Sequence, residues 1–301
     1  MPTIGYLGPE GSHSEEAFQA LQGAFPSVFS QANTPWTAQA EITIAELLAK
    51  LASQKLDAIF VPSENATEGS VREVLDALSF QFDRPSIQLE WVQPITHALI
   101  RKVSHSDGIQ TVMSHPQALA QSRETLQNKF KHIELQNSSS TSQAVASLID
   151  ADDSVAALGT ISAARRYGLH VLNENVCDNP WNTTRFLLLS LNDALFSNCP
   201  ESGPLKTALC VGLQKNQAGA LAKIVTLLAE FNIDMSKIES RPAKRQLGEY
   251  VFYIDFMGTA SPAFYDALSN VTGFVKRLGA YPSFCHPKLG INKIGPQLNP
   301  V

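Results

Sequence analysis

Apolar residues fall into a repeating pattern over the first half of the chain. Thr3 to Leu7, Asp57 to Val61, Gln110 to Met113 and Val155 to Leu158 are short apolar runs closed by turn residues, which reads as buried strands. Each is followed by a helix start. Ser12-His13-Ser14-Glu15 and Ser70-Val71-Arg72-Glu73 have the form of capping boxes, and Val71, Val74, Leu75 and Leu78 line one face of the helix that follows the second. Ser114-His115-Pro116-Gln117 opens a helix with proline in its first turn. Ser140-Thr141-Ser142-Gln143 is another start, and Gly159-Thr160 caps a helix ending near Gly168. Strands alternating with capped helices predict βα units and a mostly parallel sheet.

The stretches from about Ile87 to Ile100 and from Leu172 to Trp181 read as extended crossovers between two lobes. On this reading lobe 1 comprises about 1–93 and 176–191, and lobe 2 about 94–175. Residues 192–205 have a linker composition rich in Asn, Ser, Pro and Gly. Beyond it the rhythm changes. Thr207 to Leu213 is a strand, and Leu221, Ile224, Val225, Leu228 and Phe231 share a helix face. Met235 to Ser240 is a second strand. Tyr250, Phe252, Ile254 and Phe256 alternate as in a half-buried third. With a helix from about Pro262 and a last strand from about Val275, residues 206–285 form a βαββαβ, ferredoxin-like unit. Residues 286–301, with three prolines and two glycines, read as an irregular tail.

Composition narrows the class of function. The 301 residues carry a formal net charge of -5 and no basic block, so nothing attracts nucleic acid or an anionic membrane. Cys177, Cys199, Cys210 and Cys285 form no C-x-x-C pair, which suggests a reducing compartment. Met1-Pro2-Thr3-Ile4-Gly5 lacks the features of a signal peptide, and no apolar run is long enough to span a bilayer. A soluble, cytoplasmic protein is expected. No metalloprotease, dinucleotide or P-loop motif occurs, so no cofactor and no metal are expected.

The polar stretch Asn182-Thr183-Thr184-Arg185 runs straight into Phe186-Leu187-Leu188-Leu189, a buried strand. It places two hydroxyls, an amide and a guanidinium at the mouth of a strand, where open α/β sheets collect ligands. Arg185 offers a fork of donors suited to a carboxylate. Taken alone, the stretch reads first as a loop with a surface arginine. Ser114 has a plain reading as a helix cap, His97 and His115 as structural histidines, and Glu239 with Arg241 as an ion pair at a strand end.

Together with YLGPEGSHSEEAF (Tyr6 to Phe18), VPSENATEGSV (Val61 to Val71), SHPQALAQ (Ser114 to Gln121), the GAL stretch (Gly219 to Leu221) and the ESRP stretch (Glu239 to Pro242), the chain resembles a monofunctional prephenate dehydratase to about residue 285. The resemblance implies a two-lobed catalytic domain, similar to periplasmic binding proteins, over 1–191. It implies a C-terminal ACT domain that binds phenylalanine over 206–285. It places functional residues at Asn65, Ser114, Gln121, Thr184 and Arg185. It implies an effector site built from Gly219, Ala220 and Leu221 with Glu239, Ser240, Arg241 and Pro242, shared between paired subunits, hence a homodimer or homotetramer. Four positions depart from the family pattern: His13 for an aromatic, Ala66 for Ser, Ala218 for Pro and Asp234 for Asn.

The reaction implied converts prephenate to phenylpyruvate with loss of water and carbon dioxide, in phenylalanine biosynthesis under feedback by phenylalanine. It needs a donor to the leaving hydroxyl and a grip on two carboxylates. Thr184 is assigned the donor role and Arg185 a carboxylate. Asn65, Ser114 and Gln121 are expected to orient the substrate, and Glu64 or His115 is a candidate to deliver the proton. Arogenate dehydratase and a non-catalytic amino-acid sensor are the other two readings.

Overall fold

The computed structural model describes residues 1–31, 34–82, 86–130, 132–196, 199 and 203–289. The first lobe contains β1 (Thr3–Leu7), α1 (His13–Ala24), β2 (Ser30–Gln31), β3 (Thr34–Pro35), β4 (Thr37–Glu41), α2 (Ile44–Ala52), β5 (Ala58–Asn65), β6 (Gly69–Ser70), α3 (Arg72–Phe80) and β7 (Ser86–Pro94). The second contains β8 (Ala98–Arg101), β9 (Thr111–Ser114), α4 (Pro116–Ala120), α5 (Arg123–Lys129), β10 (Glu134–Asn137), α6 (Thr141–Ser147), β11 (Val155–Gly159), α7 (Ile161–Arg166) and β12 (His170–Asn173). The chain returns to the first lobe as β13 (Thr183–Ser190). The C-terminal unit is β14 (Leu205–Leu213), α8 (Ala220–Glu230), β15 (Met235–Pro242), β16 (Tyr250–Met257), α9 (Pro262–Val271) and β17 (Thr272–Cys285).

Within the two lobes, parallel pairing is confined to the βα units: β4, β1 and β5 in one lobe, β10, β9 and β11 in the other. The strands next to the crossovers run antiparallel. β13 lies between β5 and β7, and β8 lies between β11 and β12. A strand that comes back from the other lobe enters its sheet from the opposite end, which is why the expectation of a mostly parallel sheet fails there.

Most caps behave as their sequences ask. Ser12 Oγ accepts from Glu15 N at 3.2 Å, Ser140 Oγ from Gln143 N at 3.0 Å and Thr160 Oγ1 from Ala163 N at 3.0 Å. Two do not. The N-cap of α3 is Val71, without a side-chain bond, because the Ser70 hydroxyl is taken by Lys237 and Glu239 of the C-terminal unit. The N-cap of α4 is His115, because the buried Ser114 hydroxyl donates to Leu158 O at 2.9 Å.

The C-terminal sheet has the order β15-β16-β14-β17, but it does not stand alone. Ser283, Phe284 and Cys285 of β17 lie parallel to Glu90, Trp91 and Val92 of β7, so one ten-stranded sheet runs through both units. Gly279 lies beside the irregularity in the β14–β17 pairing and packs closely on β7. Its φ is +147°, and a Cβ there would sit 2.8 Å from Ile87 O.

β16 is buried on both faces rather than half-buried. Phe252, Ile254 and Phe256 pack under α8 and α9 with Ile224, Leu228, Phe264 and Leu268. Val251 and Tyr253 join the cluster of Leu75 and Leu78 from α3. Each such side chain contributes on the order of 1.5–3 kcal/mol by leaving water. Part of the expected linker is also packed. Asp193–Phe196 is a 3-10 turn whose buried Phe196 ring lies 5.0 Å from that of Trp36. Ser197, Asn198, Pro200 and Ser202 of that linker, and the expected tail beyond Leu289, lie outside the described residues.

Candidate active site

A cavity of about 550 Å³ lies between the lobes, within the range of roughly 300–1,000 Å³ typical of small-ligand sites. Phe186, stacked on Phe60 at 4.9 Å, lies on its apolar side. The polar wall includes Asn65, Thr184, Asn182, Gln121, His97, His13 and His115. Among the described lining residues there is no lysine or arginine, and Glu68 is the one carboxylate.

Register decides which of the expected residues meet. On β13 and β5, Thr184 stands opposite Asn65 and Arg185 opposite Glu64. Successive strand residues point to opposite faces. Thr184 and Asn65 therefore face the cavity together, and Arg185 and Glu64 face away from it.

The hydrogen bonds on the cavity side have a fixed direction. Asn65 Oδ1 accepts from the backbone amides of Thr67 and Glu68, at 2.9 and 3.0 Å. Its Nδ2 must then be the donor end, and it reaches Thr184 Oγ1 at 2.9 Å and Asn182 Oδ1 at 3.0 Å. Asn182 in turn donates from Nδ2 to Gln121 Oε1 at 3.1 Å. Gln121 Oε1 also receives His97 Nε2–H at 3.1 Å. That tautomer leaves His97 Nδ1 to accept from His13 Nε2–H at 3.3 Å. Two consequences follow at the cavity. Thr184 Oγ1 is occupied as an acceptor, so its own proton is free to point at a ligand. The Gln121 Nε2 group is a buried donor without a partner, and Ser142 Oγ and His13 Nδ1 are also buried and unpartnered. Unpaired buried polar atoms are uncommon, and three of the four among the described residues line this one cavity, Ser122 Oγ being the other.

Burial first, and then the neighbouring His13, push His97 down to about 3, against a smaller opposing effect of Gln121. His97 is thus neutral in the fold, as its two hydrogen bonds require. Between pH 6.5 and about 3 the unfolded chain binds a proton that the folded chain does not. Its contribution to stability is complete above pH 6.5 and is lost as the pH falls through that window, by up to about 1.4 kcal/mol per pH unit. The stability gap between the protein and a His97→Gln variant is therefore expected to narrow from pH 7 to pH 5. Denaturant titrations at the two pH values check this, and a constant gap would contradict a neutral buried imidazole.

Asn65, Thr184, Gln121 and His115 meet at the cavity. His115 Nδ1 accepts from Gln117 N at 3.3 Å, so its Nε2 carries a proton. Three expectations are corrected. Arg185 does not reach the cavity. It pairs with buried Glu90, with Asp255 at 2.6 Å and with Tyr281 Oη at 2.9 Å. Burial opposes its charge, but Asp255, Tyr281 and Glu90 hold its pKa well above the ordinary value. Glu64 shares that far side, 2.8 Å from Lys237, and cannot pass a proton to the cleft. Ser114 is turned into the second lobe, bonded to Leu158 O.

Of the expected effector residues, Gly219 is the left-handed N-cap of α8 at φ +82°, with Ala220 and Leu221 following. Glu239 and Arg241 alternate with Ser240 and Pro242 on β15. Glu239 binds Ser70 and Arg241 binds Asp76 at 3.1 Å, so both point at the catalytic unit, while Ser240 and Pro242 are exposed. Ser142, His13 and His97 also line the cavity and were not assigned to it from sequence, and Asn182, whose amide was noted, was given no role. Asn182 stands two residues before Thr184, on the same side by the period of a strand, and that signal was available.

The family model for prephenate dehydratase matches residues 4–194, and that for the ACT domain matches residues 210–263. The chain belongs to the prephenate dehydratase family. A prephenate dehydratase of Lactococcus lactis subsp. cremoris is 34% identical over 286 residues, covering 92% of this chain and 96% of that protein. Among solved structures, prephenate dehydratase from Arthrobacter aurescens in complex with L-Phe is 31% identical with a TM-score of 0.78, covering 93% of this chain and 89% of that one. A protein described as a novel type of quorum quenching acylase is 25% identical with a TM-score of 0.77, covering 94% and 98%. Among the described residues, no helix is long and apolar enough to cross a membrane.

Proposed function

We propose that the cavity binds prephenate and that Thr184 donates a hydrogen bond to the ring hydroxyl as it leaves. The observation that carries this reading is the 2.9 Å bond from Asn65 Nδ2 to Thr184 Oγ1, which leaves the threonine proton free. In the reaction the bond to the ring carboxylate breaks and releases carbon dioxide. Its electron pair enters the ring, the carbon–oxygen bond to the hydroxyl breaks, and the oxygen takes a proton and departs as water. His115 is the cavity group proposed to supply it, after its Nδ1 releases Gln117 N and takes a proton from solvent, so that Nε2 gives its proton up and a neutral ring remains. Gln121 Nε2 and Ser142 Oγ take ligand oxygens. The first turn of α1, at Ser12, His13 and Ser14, favours negative charge without a lysine.

Amide hydrolysis by the same threonine would need a base beside its oxygen. Asn65 presents an N–H there instead. Incubation with prephenate is expected to give phenylpyruvate, read by its absorbance in base. No product would favour a sensor without chemistry. Arogenate, with an amino group in place of the side-chain ketone, is a second reading, favoured by Glu68 in the cavity wall. Prephenate is expected to be consumed first when the two are offered at equal concentration, and the reverse order would assign the chain to arogenate.

Phenylalanine is the proposed effector, bound between ACT domains of two copies in a homodimer or homotetramer. The exposed side of β15 with Ser240 and Pro242, and the start of α8 at Gly219, are the surfaces proposed for it. A biosynthetic enzyme of this class fits the cytoplasm.

A further inference from the structure

Asn65 and Thr184 are each one residue away, and one sheet face away, from a charged residue gripped by the C-terminal domain. Beside Asn65 is Glu64, which meets Lys237 of β15 at 2.8 Å and Arg185 at 3.6 Å. Beside Thr184 is Arg185, which meets Asp255 of β16 and Tyr281 of β17. Lys237 also donates to Ser70 Oγ at 2.7 Å, and Glu239 bonds the same hydroxyl. Ser70 closes the β5–β6 hairpin, paired with Glu64, and the amides of Thr67 and Glu68 in that turn orient the Asn65 side chain. Glu90, at the other end of the cluster, takes Lys206 of β14 at 2.6 Å and Ser283 of β17 at 2.6 Å. The cluster is thus continuous from the C-terminal sheet to the backs of the two strands that bear the catalytic pair.

Buried ion pairs add little net stability when set against apolar packing, and their better-attested effect is to fix one geometry. Here the geometry they fix is that of two adjacent strands at the hydrogen bond which aims the threonine proton. We infer that Lys237 and Asp255 are positioning residues for the dehydration, through which the C-terminal domain holds Asn65 and Thr184 in register. The inference rests on the assignment of Thr184 as donor. It deepens that assignment by making the ACT domain part of the catalytic apparatus rather than an external brake. It also gives the effector a route: a shift of β15 moves Lys237 and Glu239, and with them the turn that orients Asn65.

The experiment compares Lys237→Met, Asp255→Asn and the milder Ser70→Ala in the full chain, with prephenate as substrate. Lys237→Met and Asp255→Asn are expected to lower kcat by about 10- to 100-fold, the scale of a misplaced catalytic group, while KM changes less than about 3-fold. Lys237→Arg should restore most of the rate. In a Thr184→Ala background Lys237→Met should cause no further fall in kcat, since the group it positions is gone. Loss of active protein alone would instead multiply through that background, and such an additive result overturns the inference. So does unchanged kcat in both single variants. Where a thermal melt shows that Lys237→Met has not folded, Ser70→Ala carries the same test, with a smaller fall in kcat expected and none in the Thr184→Ala background. If Thr184→Ala itself is as active as the parent, the donor assignment fails first, which keeps the two failures apart.

Discussion

Thr184→Ala is expected to lower kcat by about 10²–10⁴-fold, the usual cost of removing a positioned proton donor, with substrate binding largely retained. Thr184→Ser keeps the hydroxyl and should retain most of the rate. A sharper version uses Asn65, whose amide gives its N–H to the threonine oxygen. Asn65→Asp puts an acceptor in that place. The Thr184 proton then turns to the carboxylate, and the group that served the leaving hydroxyl is lost although every atom position is nearly unchanged. The two variants should fall together. Steady-state kinetics with prephenate check this, and a Thr184→Ala enzyme within a few-fold of the parent would remove the residue from the chemistry.

Arg185→Met is expected to lower stability by about 3–5 kcal/mol, and to lower kcat as the Asp255→Asn variant does, since Asp255 reaches β13 through this guanidinium. The guanidinium holds two buried carboxylates, Glu90 and Asp255, from two different units. Burial by itself raises the pKa of Glu90, but Arg185 and then Lys206 outweigh it and hold that carboxylate charged. Methionine fills the volume and leaves both anions short of a partner. The denaturant midpoint should drop sharply, and KM for prephenate should stay near the parent value in the protein that remains folded. A large rise in KM with unaltered stability would return Arg185 to the cleft as a carboxylate clamp.

The contrast between these neighbours shows where a sequence is informative. The βα units, the caps at Ser12, Ser140 and Thr160, and the βαββαβ unit all follow from local patterns that short-range physics enforces. Thr184 was legible as a hydroxyl at the mouth of an apolar strand, whereas Asn65 and Gln121 were selected through the family resemblance alone. Arg185 was misassigned because the fork of donors was read for its chemistry without its place on the strand. The two-residue period that turns Thr184 toward the cavity turns Arg185 away. Ser70 and Ser114 both look like caps in sequence. Their hydroxyls are claimed by Lys237 and Leu158 O, 167 and 44 residues distant, and no local pattern reports that. For the same reason β16 was expected to be half wet, since its second covering layer comes from α3, far back in the chain.

The pairing of Ser283 to Cys285 with Glu90 to Val92 has a consequence for how such proteins are cut apart and recombined. A catalytic fragment ending before Leu205, where β14 begins, would present the β17-covered side of β7 as a bare rim, its amides and carbonyls there unmatched and Trp91 without its pairing to Phe284. An unprotected strand of this kind recruits other chains and aggregates. The regulator is therefore not a detachable module, and a graft onto another enzyme would have to bring a replacement strand with it.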